Sequence, residues 1–115
     1  MSFENRPESY VSFRERDVWW CSLGVNLGSE EDGKNDLFER PVLVIRKFSR
    51  YMAWVVPMST KLKYNQYHFV LENEVILLSQ LRMVSVKRFN RFVDRISTYD
   101  FSMIRTSVSN LVRYD

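Results

Sequence analysis

The 115-residue chain is predicted to be a mainly β domain of the α+β class, a small barrel or strongly bent sheet with a C-terminal amphipathic helix. Three observations carry this. Short runs rich in β-branched and aromatic residues recur from Asp17 onward, polar or turn-forming residues separate them, and from Ser97 the apolar residues switch to a helical period. With 45% hydrophobic residues, only 3 Gly and 3 Pro, and no repeat or low-complexity stretch, the chain reads as one domain. Residues 1–16 are taken as an N-terminal extension and residues 17–115 as the barrel domain.

"DVWWCSLG" (17–24) is the first strand, ending at glycine. Residues 25–39, "VNLGSEEDGKNDLFE", show no clear period and two glycines, so a long loop is expected. "RPVLVIRKF" and "YMAWVVPM" are nearly continuous in apolar residues and are joined by "SR", as in a hairpin. Pro41 lacks an N–H and therefore fits the start or an edge of its strand. After the polar, basic "STKLKYNQ", "YHFVL" and "VILLSQLRMV" read as two more strands. "SVKRFN" suits one helical turn, and the alternating "RFVDRIS" a sixth short strand. In the last segment Phe101, Ile104, Val108, Leu111 and Val112 form a helical stripe, with Ser97 and Asp100 approximating a capping box.

The net charge of +3 conceals an asymmetry. Residues 1–39 hold four Lys/Arg and nine Asp/Glu, whereas the remainder holds thirteen and five. The basic part, from Arg40 through Lys61, Lys63, Arg82, Lys87, Arg88, Arg91 and Arg95, fits either a protein that meets a polyanion or an ordinary solvated surface. The charged opening has no signal-peptide character and no apolar run approaches the ~20 residues of a membrane span. A cytoplasmic protein without membrane attachment is expected.

Most catalytic constellations are excluded by residue supply. His68 is the single histidine, too few for a serine triad or a two-histidine nuclease, and it reads as a half-buried structural residue. Cys21 is the single cysteine, read as a buried small hydrophobe. No phosphate-cradling glycine motif or paired CxxC is present, and "EEDGKND" matches no calcium loop. What remains is arginine plus hydroxyl. Cleaving RNA through its own 2′-OH asks the protein to align the attacking oxygen, stabilise charge on phosphorus and assist proton transfer. Arg40 can clamp phosphate oxygens, and Ser59 and Thr60 after Pro57 can hydrogen-bond the same phosphate. An antiparallel hairpin returns Arg40 and Ser59-Thr60 to the same edge of the sheet.

The ordered pieces Trp19-Trp20, Gly28-Ser29-Glu30, Arg40-Pro41-Val42-Leu43-Val44, Pro57-Met58-Ser59-Thr60 and Ser79-Gln80 resemble the signature of the PemK/MazF family of toxin endoribonucleases from type II toxin–antitoxin systems. The resemblance spans residues 17–113. It implies an SH3-like barrel of the PemK/MazF (CcdB-like) type, a homodimer, a cognate antitoxin, and cleavage of single-stranded mRNA to a 2′,3′-cyclic phosphate with neither metal nor cofactor. By position Arg40 takes the catalytic arginine and Ser59 the catalytic threonine, with Thr60 and Glu30 beside them. Lys61, Lys63, Gln80 and Arg82 are assigned to RNA binding, and Tyr64 or Tyr67 to base stacking.

Three departures stand out. "KNDLFE" lengthens the loop before Arg40, serine replaces threonine at 59, and Leu77 and Ser79 occupy positions where some members carry arginine and aspartate. Arg82, on the strand face expected for Gln80, is the available substitute. Two further functions share the fold. A gyrase-poisoning toxin would rely on C-terminal residues such as Tyr114, and a non-catalytic RNA-binding module would bind without cutting.

Overall fold

The computed structural model describes residues 10–24, 39–60 and 67–113. Seven strands form an antiparallel sheet: β1 (Asp17–Ser22), β2 (Glu39–Lys47), β3 (Met52–Ser59), β4 (His68–Leu71), β5 (Glu74–Leu77), β6 (Arg82–Ser85) and β7 (Phe89–Arg95). Among the described residues one α-helix, α1 (Thr98–Leu111), follows. The central order is β7-β1-β2-β3, with β5 and then β6 on the far edge of β3, and β4 outside β5. The expected mainly β fold with a C-terminal helix is present, but the sheet bends without closing into a barrel. β4 and β7 are its ends.

The middle of the β2–β3 hairpin is buried on both faces, which explains its near-continuous apolar sequence there. One face carries Val42, Val44, Ala53 and Val55 into a first core with Phe13, Trp19, Cys21 and Phe89. The other carries Leu43, Ile45, Val56 and Met58 into a second core, capped by Phe101 and Ile104 of α1. Alternation along each strand assigns the buried residues to one core or the other, while Arg46, Lys47 and Trp54 are exposed.

The single expected strand "VILLSQLRMV" is two strands. Met58 and Ser59 pair with Ile76 and Val75, so an unbroken ladder would set Val55 opposite Ser79; Val55 instead faces Arg82. The offset equals the length of the 3₁₀ turn Leu78–Gln80, which buries Leu78 and lifts Ser79 and Gln80 out of the ladder. "SVKRFN" contains the expected helical turn, at Val86–Arg88.

The helix cap forms as read: Ser97, in extended conformation, accepts a hydrogen bond from the Asp100 N–H at 3.1 Å. Only the first part of the helical stripe is core, however. Phe101 and Ile104 are buried and Val108 partly so, whereas Leu111 is 37% and Val112 75% exposed. They overhang the sheet and, with Trp54 and Leu81, line a groove of about 640 Å³.

The segment before β1 is tied down by a buried carboxylate. Asp17 is 1% exposed and accepts from the Arg14 N–H (2.8 Å), Trp19 Nε1 (3.2 Å) and Arg95 Nε (2.7 Å). A buried charge is tolerated only when so satisfied. Arg16, in the left-handed region at φ 80°, donates from its N–H to the Val44 carbonyl and from Nε to the Ile96 carbonyl, and accepts from the Ile96 N–H. Three anchors to the backbone thus hold a conformation costly for a residue with a Cβ.

Asp17→Ala leaves the Trp19 and Arg14 donors without their acceptor, and Arg95 without its carboxylate. Chemical denaturation is expected to show a loss of about 3 kcal/mol, and Asp17→Asn, which retains an acceptor oxygen, a smaller loss.

Candidate phosphate-binding site

Two prolines shape one end of the hairpin. The pairing of β2 with β3 stops at Val42–Pro57, and Pro41 lies one residue beyond. Neither proline has an N–H to give, so the ladder cannot continue as a regular one. The strands then follow different neighbours: β2 stays with β1 through Pro41–Trp20, Arg40–Cys21 and Glu39–Ser22, while β3 pairs with β5 at Met58 and Ser59. Pro41 is therefore at a local edge within a central strand, in keeping with the sequence expectation.

Arg40 and Ser59 stand on the two sides of this split. Both are half-buried, and alternation places both on the side of the first core, Arg40 in series with Val42 and Val44, Ser59 with Val55 and Pro57. The structure thus brings these two candidates to one end and one face. Thr60 goes elsewhere. It lies on the second-core side, in a depression of about 350 Å³ shared with Glu72, Asn73, Glu74 and Asp94. Gln80 is exposed on the 3₁₀ turn and does not share a strand face with Arg82, because the turn breaks the strand between them. Arg82 is exposed opposite Val55, further along β3 from Ser59. Tyr67 lines the groove beside α1, and His68 is half-buried in β4, away from the split. Glu30, Lys61, Lys63 and Tyr64 lie outside the described residues.

β1 forms the floor beside Arg40. Cys21 is fully buried, with Arg40 facing it on β2 and Phe89 on β7. Burial pushes its thiol up to about 11; Arg88 and then Arg82 pull the other way, and Glu39 adds slightly to the rise. The thiol is consequently neutral at physiological pH, a packing group and not a nucleophile. Next to it, Ser22 joins three elements. Its carbonyl accepts from Arg88 Nη1 at 3.2 Å, its hydroxyl from Asn90 Nδ2 at 2.9 Å, and Asn90 Nδ2 also reaches Glu39 Oε2 at 2.5 Å. Arg91 adds an exposed ion pair to Glu39 at 3.6 Å. Asn90, Ser22 and Glu39 thereby staple the ends of β7, β1 and β2 together immediately beside Arg40.

Chemically, this end of the sheet offers a guanidinium and a hydroxyl across a gap, with two more arginines within electrostatic reach of the floor. Such a set can bind and polarise a phosphodiester. Among the described residues, no group of three or more His, Cys, Asp or Glu is placed to hold a metal ion.

Residues 14–112 match the family described as PemK-like, MazF-like toxins of type II toxin–antitoxin systems. The chain belongs to that family. Among solved structures it is similar to an endoribonuclease in complex with its cognate antitoxin from a mycobacterial species, with a TM-score of 0.69 at 10% identity. The match covers 90% of this chain and 100% of that one. At that identity the likeness speaks for the fold. No curated protein matches in sequence. The PemK-like assignment agrees with the motif order from Trp19 to Gln80, and the helix α1 falls within the matched segment.

Because an ordinary thiol ionises near 9 and the folded Cys21 only near about 11, the unfolded chain loses its proton first as pH rises. The toxin is expected to lose stability between those values, and Cys21→Ala to lose this part of the alkaline slope in denaturation measured at successive pH values. Iodoacetamide at pH 8 should label the thiol rapidly only after unfolding.

Proposed function

We propose that this PemK-like toxin is an endoribonuclease that cuts single-stranded mRNA through the RNA's own 2′-OH, without a metal, leaving a 2′,3′-cyclic phosphate and a 5′-hydroxyl. The observation that carries the reading is the placement of Arg40 and Ser59 on either side of the split hairpin, in a chain of this family. Arg40 binds the non-bridging oxygens of the scissile phosphate and stabilises the charge that grows there as the 2′-oxygen attacks. Its guanidinium stays protonated, so it acts as an electrostatic clamp. The Ser59 hydroxyl aligns the attacking 2′-OH or a phosphate oxygen. The 2′-oxygen forms its new bond to phosphorus as the bond to the 5′-oxygen breaks, and the proton lost by the first is taken up by the second.

Thr60, on the other side of the strand end, is given no step. Glu30, Lys61 and Lys63 retain the neighbouring and RNA-binding roles implied by the family, and Gln80 and Arg82 a place along the RNA path. The toxin is further proposed to act in the cytoplasm, to form a homodimer, and to be held inactive by a cognate antitoxin whose acidic segment covers the basic surface.

Purified toxin incubated with a long RNA in EDTA buffer, read by primer extension, is expected to give discrete cuts with cyclic-phosphate ends. RNA left intact across varied sequences would refute the reading. Arg40→Ala should fold and lose ~10²–10³ in rate. Ser59→Ala should slow the reaction about tenfold or more while Ser59→Thr retains it. Full activity in Arg40→Ala would displace the site.

A further inference from the structure

The staple beside Arg40 holds a cation that makes no ion pair among the described residues. Three other arginines are paired: Arg91 with Glu39, Arg95 with Asp17 and Arg105 with Glu15. Arg88 is not. Among the described residues its guanidinium makes one hydrogen bond, to the uncharged Ser22 carbonyl at 3.2 Å, and no ion pair. One fixed N–H orients the planar group and leaves its other donors available.

Its place is set by topology. Arg40 and Phe89 face Cys21 from opposite sides, so Arg40 and the residue after Arg88 are two strand spacings apart, ~10 Å. Arg88 is also the cation that acts most strongly on the Cys21 thiol, the residue that Arg40 faces across the β1–β2 ladder. We propose that Arg88 binds the phosphate adjoining the one that is cut, and so fixes the register of the RNA over Arg40 and Ser59. The assignment of a cut phosphate to Arg40 rests on the endoribonuclease reading above; the contact of Arg88 with a single strand does not.

Two phosphates held at a fixed separation align the backbone between them, which is what in-line attack by a 2′-OH requires. Arg88 therefore contributes mainly to substrate binding, and Arg40 to the reaction itself. Sequence inspection places Arg88 within a basic run but gives no reason to prefer it to Lys87 or Arg91. Among the described residues, what sets it apart from Arg91 is the absence of an ion pair, and from Lys87 its attachment to β1.

The test uses a single-stranded oligonucleotide with 2′-O-methyl groups throughout, which cannot be cut, and compares the toxin with Arg88→Gln and Arg88→Lys. Arg88→Gln is expected to bind about tenfold more weakly, with the slope of log affinity against log salt reduced by ~0.7, the loss of one single-strand phosphate contact. Arg88→Lys should keep the slope. On cleavable RNA, Arg88→Gln should raise KM much more than it lowers kcat. Circular dichroism of each variant checks that the exposed substitution leaves the fold intact. Unchanged affinity and slope in Arg88→Gln would overturn the proposal, and so would failure of the unaltered toxin to bind the oligonucleotide. A fall in kcat with binding retained would place Arg88 on the cut phosphate and overturn its assignment to the neighbouring one. Binding that depends on Arg88 without any cleavage would uphold the contact while refuting the endoribonuclease reading.

Discussion

The middle of the β2–β3 hairpin, from Val42 to Val44 and from Val55 to Val56, has no face left for water, and the rest of the molecule follows from that constraint. Val42, Leu43, Val44, Val55 and Val56 are 0% exposed, alternately facing one core and the other. Each such burial is worth about 1.5–3 kcal/mol, and a polar side chain in their place would cost as much again unless fully partnered. Polar chemistry is therefore displaced to the hairpin's ends. Pro41 and Pro57 then stop the ladder at one of these ends, and the strands separate where Arg40 and Ser59 stand. Asp17 shows what an exception requires: a carboxylate is accommodated in the interior only with three donors around it.

Beside that end, the neutral state of Cys21 matters more than its reactivity. An ionised thiolate there would offset the positive field of Arg82 and Arg88, whereas the protonated thiol leaves it intact for an incoming anion. Desolvation thus preserves the charge contrast between a dry floor and a cationic rim. The same floor strand receives Arg88 through Ser22 and pairs on its other edge with Arg40 of β2. Electrostatics and strand pairing point to the same few residues.

Much of this was legible in the sequence because it depends on short range. The runs around Trp19 on β1, Leu43 on β2 and Val55 on β3 identify themselves by apolar density, and Ser97 with Asp100 marks the helix start. The approach of Arg40 to Ser59 follows from antiparallel return alone. What could not be read depends on distant partners. The break between β5 and β6 arises because Leu78 turns into the second core, a choice made by packing against β3 and α1. Thr60 departs from Ser59 by strand alternation, which matters only once the end of β3 is known. Leu111 and Val112 continue a helical stripe, yet they face an open groove instead of a packed core. Arg88 acquires its position from Ser22, 66 residues away, and Asp17 its ion pair from Arg95, 78 residues away.

Those separations also govern timing. β1 is made first but is completed last, since one edge waits for β2 and the other for β7. Loop closure over most of the chain must precede the gains it brings, so the slow step of folding should be the docking of β7. Arg40 and Arg88 stand on a common floor only once both β2 and β7 have paired with β1. A chain in which β7 has not docked has the basic residues but not their arrangement.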